Sequence, residues 1–175
     1  MIIGIEGGLG SGKTLLLSKY LYKDSMAGFD VRANFGLKFK SNDLDVKELL
    51  ETGIELKNVT IGIDEITVFI DCRKSMSKMN RLISYFILQS RKRNVNIYYT
   101  TQDFDMVDKR LIQHTHIQII AEKIYYSDGR EIADYRRYTI LDFRNPHNTK
   151  PITFIMDISK YYNIYDTDEI IKPPI

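Results

Sequence analysis

Residues 7–14 read Gly7-Gly8-Leu9-Gly10-Ser11-Gly12-Lys13-Thr14, and this octet limits the possible folds more than any other feature of the chain. It fits the pattern Gly-x-x-x-x-Gly-Lys-Ser/Thr, which works in one setting: a buried strand before it and a helix after it. The flanks supply both. Met1–Glu6 is a short apolar run, and residues 14–26 are rich in leucine, with Gly28 as the stop signal. Glycines let the backbone wrap tightly, successive N–H groups turn inward toward phosphate oxygens, and the helix start adds donors and the positive end of its dipole. Lys13 supplies a point charge for the β- and γ-phosphates and Thr14 a hydroxyl for magnesium. The expected ligands are therefore ATP or another nucleoside triphosphate, held by Gly7 through Thr14, together with Mg2+. The base is not specified.

A second feature belongs with the first. Val59-Thr60-Ile61-Gly62-Ile63 is an apolar strand that ends in Asp64-Glu65. One carboxylate can hold a magnesium ion while the next orients or deprotonates the attacking water. Asp64 is assigned to the metal and Glu65 to catalysis. A third strand, Val95–Thr101, runs into Gln102. In an open parallel sheet the carboxyl ends of the strands face the ligand crevice, so Gln102 is placed near the γ-phosphate or the lytic water.

With 175 residues the chain is long enough for one α/β domain with its own core. Strand and helix signals alternate up to about residue 121, which implies a mostly parallel sheet with helices on both faces. Expected elements include a strand over Phe29–Phe35, a helix over Leu44–Leu50 capped by Asn42 or Asp43, a helix over Met76–Arg91 and a short helix over Asp105–Gln113. Ile117–Tyr126 and Ile132–Phe143 flank Ser127-Asp128-Gly129-Arg130, a tight-turn signal that predicts a β-hairpin. Ile152–Met156 is a final strand, followed by a tail. The division is a single domain over 1–175, with a core over 1–125 and a hairpin and C-terminal extension over 126–175.

Composition excludes some chemistry. The single cysteine, Cys72, forms no intrachain disulfide, and His114, His116 and His147 have no thiol pair with zinc-ligand spacing. No stretch approaches 18 consecutive apolar residues, so no direct membrane insertion and a cytoplasmic location are expected. The net charge of +2 says little about nucleic acid. Locally the picture differs. From Cys72 through Gln102 there is no acidic residue, while Arg73, Lys74, Lys78, Arg81, Arg91, Lys92 and Arg93 occur there. Lys74, Lys78 and Arg81 fall on one helical stripe suited to a DNA backbone. Arg91 and Arg93 sit at an element boundary and are assigned as candidate arginine fingers reaching a neighbouring subunit, with Arg110 as a further candidate. A solvated basic face is the plain alternative. Arg136 and Arg137 read as surface charge. Tyr125, Tyr126, Tyr135 and Tyr138 read as cross-strand pairs in the hairpin, with base stacking as the second use.

Taken together, GGLGSGKT at 7–14, VTIGIDE at 59–65 and SRKRNVNIYYTTQ at 90–102 resemble the FtsK/HerA superfamily of P-loop ATPases. The likeness is strongest to its small branch of Zot-like proteins of filamentous phages and viral genome-packaging ATPases. YDTDEII at 165–171 resembles a segment that follows the core in such proteins. The resemblance implies a RecA-like core that assembles into a ring, often a hexamer, and moves DNA in genome packaging or extrusion. It also implies the roles already given to Lys13, Thr14, Asp64, Glu65 and Gln102. A capsid or membrane-protein partner would place such a ring at a virion or membrane. Two features depart from the Zot-like pattern: Ile66-Thr67-Val68-Phe69 replaces an aromatic or histidine-rich run, and there is no membrane-spanning segment. The competing functions are an assembly or secretion ATPase that moves protein, and a small-molecule kinase. Asp64-Glu65 suits water activation better than an acceptor nucleotide, and no arginine-rich lid is evident, which counts against the kinase.

Overall fold

The computed structural model describes residues 1–44, 56–68, 93–145 and 150–165. The expected helices beyond Leu44 and over 76–91, the basic residues Arg73, Lys74, Lys78, Arg81, Arg91 and Lys92, and the motif after Tyr165 lie outside these residues. In the described parts β1 (Ile2–Glu6) leads through the glycine loop into α1 (Lys13–Met26), then β2 (Asp30–Ala33), β3 (Asn42–Asp43) and β4 (Val59–Ile63). After these come β5 (Asn96–Thr101), α2 (Lys109–His114), β6 (Ile117–Tyr125), β7 (Glu131–Asp142) and β8 (Ile152–Asp157).

All eight strands form one sheet in the order β3-β2-β4-β5-β1-β6-β7-β8. It is parallel from β3 to β6 and antiparallel across β6, β7 and β8. The central strands are apolar on both faces, as a parallel sheet covered on two sides requires. Alternation in β1 sends Ile3 and Ile5 toward Leu15, Leu16, Leu17 and Leu21 of α1. It sends Ile2 to the other face, among Ile61, Ile63, Ile97 and Tyr99, where Val107 and Leu111 of the α2 segment also pack. Each of these leucines and isoleucines contributes about 1.5–3 kcal/mol by leaving water. Helices thus lie on both faces, as expected.

The approach of α1 to the sheet is close. A Cβ on Gly62 would stand 2.5 Å from the Cδ1 of Leu21, so β4 and α1 meet where only a hydrogen fits. Beyond Met26, Gly28 takes φ 89° and its N–H bonds the carbonyl of Ser25, ending the helix where the sequence predicts.

One expectation is corrected. The helix over Asp105–Gln113 is two pieces, a 3-10 turn at Phe104–Met106 and α2 at Lys109–His114. Asp103 and Asp108 each cap a start, accepting from the N–H of Asp105 and Arg110, so the chain begins a helix twice and Val107 is extended between them. Asn42 and Asp43 pair as β3 with Arg32 and Ala33, and the helix expected to follow them as its cap lies outside the described residues. The hairpin forms as read, with Gly129 at φ 84° in its turn. Among the described residues no helix is long and apolar enough to cross a membrane.

Candidate phosphate and nucleotide site

The glycine loop is a cradle closed from below. Gly12 caps α1 at φ 88° without a side-chain hydrogen bond to the helix start. The first-turn N–H groups are therefore not claimed by a capping side chain, the condition under which a helix start receives an anion. A Cβ at Gly12 would lie 2.7 Å from the Tyr138 hydroxyl, and one at Gly7 would meet the carbonyl oxygen of Ala121. Ser11 is 3% exposed, and its Oγ is the one buried side-chain oxygen or nitrogen among the described residues without a partner. Such a group costs about 1–3 kcal/mol unless a ligand or water satisfies it. Lys13 is buried, and its Nζ donates to the Gly8 carbonyl at 3.2 Å and stands 3.7 Å from Oε1 of Glu65.

The acidic pair meets the loop from β4. The Thr14 hydroxyl lies 3.0 Å from both Oδ1 and Oδ2 of Asp64. Thr100 ties the two acids together: its hydroxyl donates to Oδ1 of Asp64 at 2.6 Å and accepts from the N–H of Glu65 at 2.8 Å. Asn34, just past β2, exchanges two bonds with the backbone of Asp64, its Nδ2 to the carbonyl and its Oδ1 from the N–H. Glu65 sits at φ 50°, a left-handed backbone that non-glycine residues adopt at a cost and that clusters at functional sites. Burial pushes the Asp64 carboxyl above the ordinary carboxylate range, opposed by the Thr100 and Thr14 hydroxyls and by Lys13. Burial also raises Glu65; Lys13 opposes the shift and the Asp64 charge adds to it.

These residues fit a magnesium nucleotide. Thr14 and Asp64 are the hard oxygen donors that would hold the ion, which typically takes one or two protein oxygens and completes its shell with phosphate and water. No group of three or more His, Cys, Asp or Glu side chains suited to a metal occurs among the described residues, and a site of this kind needs none.

Gln102 follows β5 directly and is exposed. Its segment is pinned to the loop on two sides: the N–H of Gly7 bonds the Thr101 carbonyl at 3.3 Å, and Oε2 of Glu6 accepts from the N–H of Phe104 at 2.7 Å. Gln102 therefore stands on the same rim as Gly7 and Glu65. Arg93 does not. It precedes β5, where its carbonyl accepts from the N–H of Asn58. A six-residue strand, spanning roughly 17–20 Å, separates it from its own loop. Arg110 lies on α2 with its guanidinium turned back on the Asp108 carboxylate at 2.6 Å.

Several contributors were not evident from the sequence. Thr100, Asn34 and Glu6 act through the sheet register, which brings the ends of β2, β4, β5 and β1 together. Arg136 is a correction. It is not surface charge but 7% exposed, and its Nε donates to the Gly10 carbonyl at 3.0 Å. The register of β7 faces it toward the loop, while its neighbour Arg137 points to solvent as expected. Tyr138, read as a cross-strand pair, stacks on Phe154 of β8 and also donates to the Gly12 carbonyl at 3.1 Å.

A strand, glycine loop and helix at the centre of a mostly parallel sheet, with an acid-tipped strand one place beyond β5, make a RecA-like P-loop core. Solved structures share this fold. The N-terminal domain of zonular occludens toxin from Neisseria meningitidis superposes with a TM-score of 0.69 at 19% identity, over 94% of this chain and 98% of that one. The genome packaging NTPase of Sulfolobus turreted icosahedral virus 2, in complex with ATP-γ-S, gives 0.56 at 11% identity, over 87% and 95%. The flagellar accessory protein FlaH from Methanocaldococcus jannaschii gives 0.54 at 15%, over 87% and 84%. No family model matches the sequence, and no curated protein matches it. The fold implied by the FtsK/HerA resemblance is thus the fold present.

Proposed function

We propose that this chain is an ATP hydrolase of the FtsK/HerA type that works as a ring and couples hydrolysis to the movement of DNA. The observation that carries the hydrolase reading is the convergence of Lys13, Thr14, Asp64 and Glu65 on one loop. Loop N–H groups and Lys13 hold the phosphates. Thr14 and Asp64 would hold a magnesium ion, which when bound would supply charge neutralisation for the phosphates. Phosphate replaces Glu65 as the partner of Lys13, which leaves the Glu65 carboxylate free to accept a proton from water. The water oxygen bonds the γ-phosphorus as the bond to the bridging oxygen breaks, giving ADP and phosphate. Gln102 orients that water from the β5 rim.

Two features support the ring. The FtsK/HerA resemblance of the sequence implies a ring, and Arg93 lies at the pole of the sheet away from its own loop, so that any part it takes in hydrolysis is played at a neighbour's site. Arg91 shares this assignment through its place in the sequence. DNA as cargo is supported by the sequence resemblance and by the shared fold with a genome packaging NTPase. A protein cargo is the second reading, favoured by the shared fold with a flagellar accessory protein.

Phosphate release measured with no DNA, single-stranded DNA and double-stranded DNA separates the two. Stimulation by either DNA is expected. Hydrolysis at one rate in all three conditions would contradict the DNA reading and leave the protein-moving one.

A further inference from the structure

The hairpin strand β7 reaches the glycine loop with two side chains two residues apart, and therefore on one face. Arg136 donates from Nε to the Gly10 carbonyl and Tyr138 from its hydroxyl to the Gly12 carbonyl. We propose that Arg136 is a positioning residue for the nucleotide: it fixes the peptide planes of the phosphate loop from below, which makes the hairpin part of the nucleotide site. The proposal rests on the nucleotide-binding reading above.

A peptide is planar, so anchoring its carbonyl sets the direction of the N–H on its other side. The Gly12 carbonyl and the Lys13 N–H belong to one peptide; the carbonyl accepts from the Leu16 N–H of α1 at 3.0 Å and from the Tyr138 hydroxyl at 3.1 Å, and the N–H is directed the opposite way. The Gly10–Ser11 peptide is held at both ends. Its carbonyl goes to Arg136, and its N–H closes the loop on the Gly8 carbonyl at 3.2 Å. Gly10 takes φ 70° and Gly12 φ 88°, left-handed conformations that glycine enters without steric penalty.

Arg136 is itself fixed. Its Nη1 donates to the carbonyls of Ile132, Ala133 and Tyr135 at 3.2, 2.8 and 2.9 Å, and its Nη2 to Oε1 of Glu131 at 2.9 Å. The second oxygen of Glu131 takes Nζ of Lys123 at 3.0 Å, and that ammonium lies 3.2 Å from where a Cβ on Gly10 would stand. One carboxylate thus balances two cations beneath a loop built for anions. Lysine cannot replace a guanidinium that uses its donors in this fan.

The test is ATP affinity by calorimetry on the full chain, read beside the thermal midpoint without nucleotide. Wild type, Arg136→Ala, Arg136→Lys, Arg137→Ala and Lys13→Ala are compared. Loss of Arg136 should weaken ATP binding by roughly ten- to hundred-fold, the range of a lost charge-assisted bond. Arg136→Lys should fall between it and wild type. Arg137→Ala, on the solvent face of the same strand, should bind as wild type does. Where Arg136→Ala does not fold, Arg136→Lys carries the test alone. Wild-type affinity in either Arg136 variant, with binding abolished in Lys13→Ala, overturns the positioning role and leaves the P-loop reading standing. Absence of ATP binding by the wild type overturns both.

Discussion

Glu65 is where residue chemistry is most exposed to test. Burial raises its carboxyl, and Asp64 beside it adds to the shift against Lys13. A general base works only when deprotonated, so a raised value moves the acid limb of the rate profile upward. kcat/KM should therefore fall, as pH is lowered, at a pH above the ordinary carboxylate range. A pH profile of kcat/KM, which reports the groups of the free enzyme, checks this, and a value sustained down to ordinary carboxylate pH would contradict Glu65 as base. At this scale the sequence was informative where the chemistry is local. Gly7 through Thr14 are adjacent in the chain, and Asp64 and Glu65 end a strand, so their types and spacing suffice. Thr100 and Asn34 carry no such signature. A threonine that bonds Asp64 and the N–H of Glu65 is recognised only when β4 and β5 are known neighbours.

Among the elements, β4 and α1 give a prediction independent of nucleotide. Gly62 faces Leu21, which is fully buried, and the two Cδ atoms of that leucine would lie 2.5 and 3.0 Å from an added Cβ. Gly62→Ala should destabilise the fold by about 1–3 kcal/mol through overpacking, seen as a lower denaturant midpoint with an unchanged slope. A change within about 0.5 kcal/mol would show that α1 has room to shift. Element type was legible for β1, α1, β4, β5 and the hairpin because apolar runs there are bounded by glycine, turn residues or, for β4 and β5, the polar Asp64-Glu65 and Gln102. The break at Val107 was not, since Asp103 and Asp108 announce two caps only once both are seen to bond. The burial of Arg136 was hidden for a related reason. Alternation along β7 says that Arg136 and Tyr138 share a face, but not that this face looks at the loop.

At the scale of the whole molecule, the strand order puts the participants proposed for the chain's own site, Lys13, Thr14, Asp64, Glu65 and Gln102, on one rim, with Arg93 at the opposite pole. β1, β4 and β5 are neighbours, so their carboxyl ends deliver the loop, the acids and Gln102 to one place. The antiparallel strands continue the same sheet, and Tyr138, Met156 and Ile158 join the core cluster beneath α1. The central claim is that this rim binds ATP through Lys13 and hydrolyses it through Glu65. Nucleotide affinity and single-turnover phosphate release, measured on the same preparations of wild type, Lys13→Ala and Glu65→Gln, test it most directly. The predicted result is that Glu65→Gln binds ATP about as tightly as wild type and hydrolyses it roughly 100- to 10,000-fold more slowly, while Lys13→Ala fails to bind. Turnover by Glu65→Gln close to that of wild type, with binding intact, would contradict it.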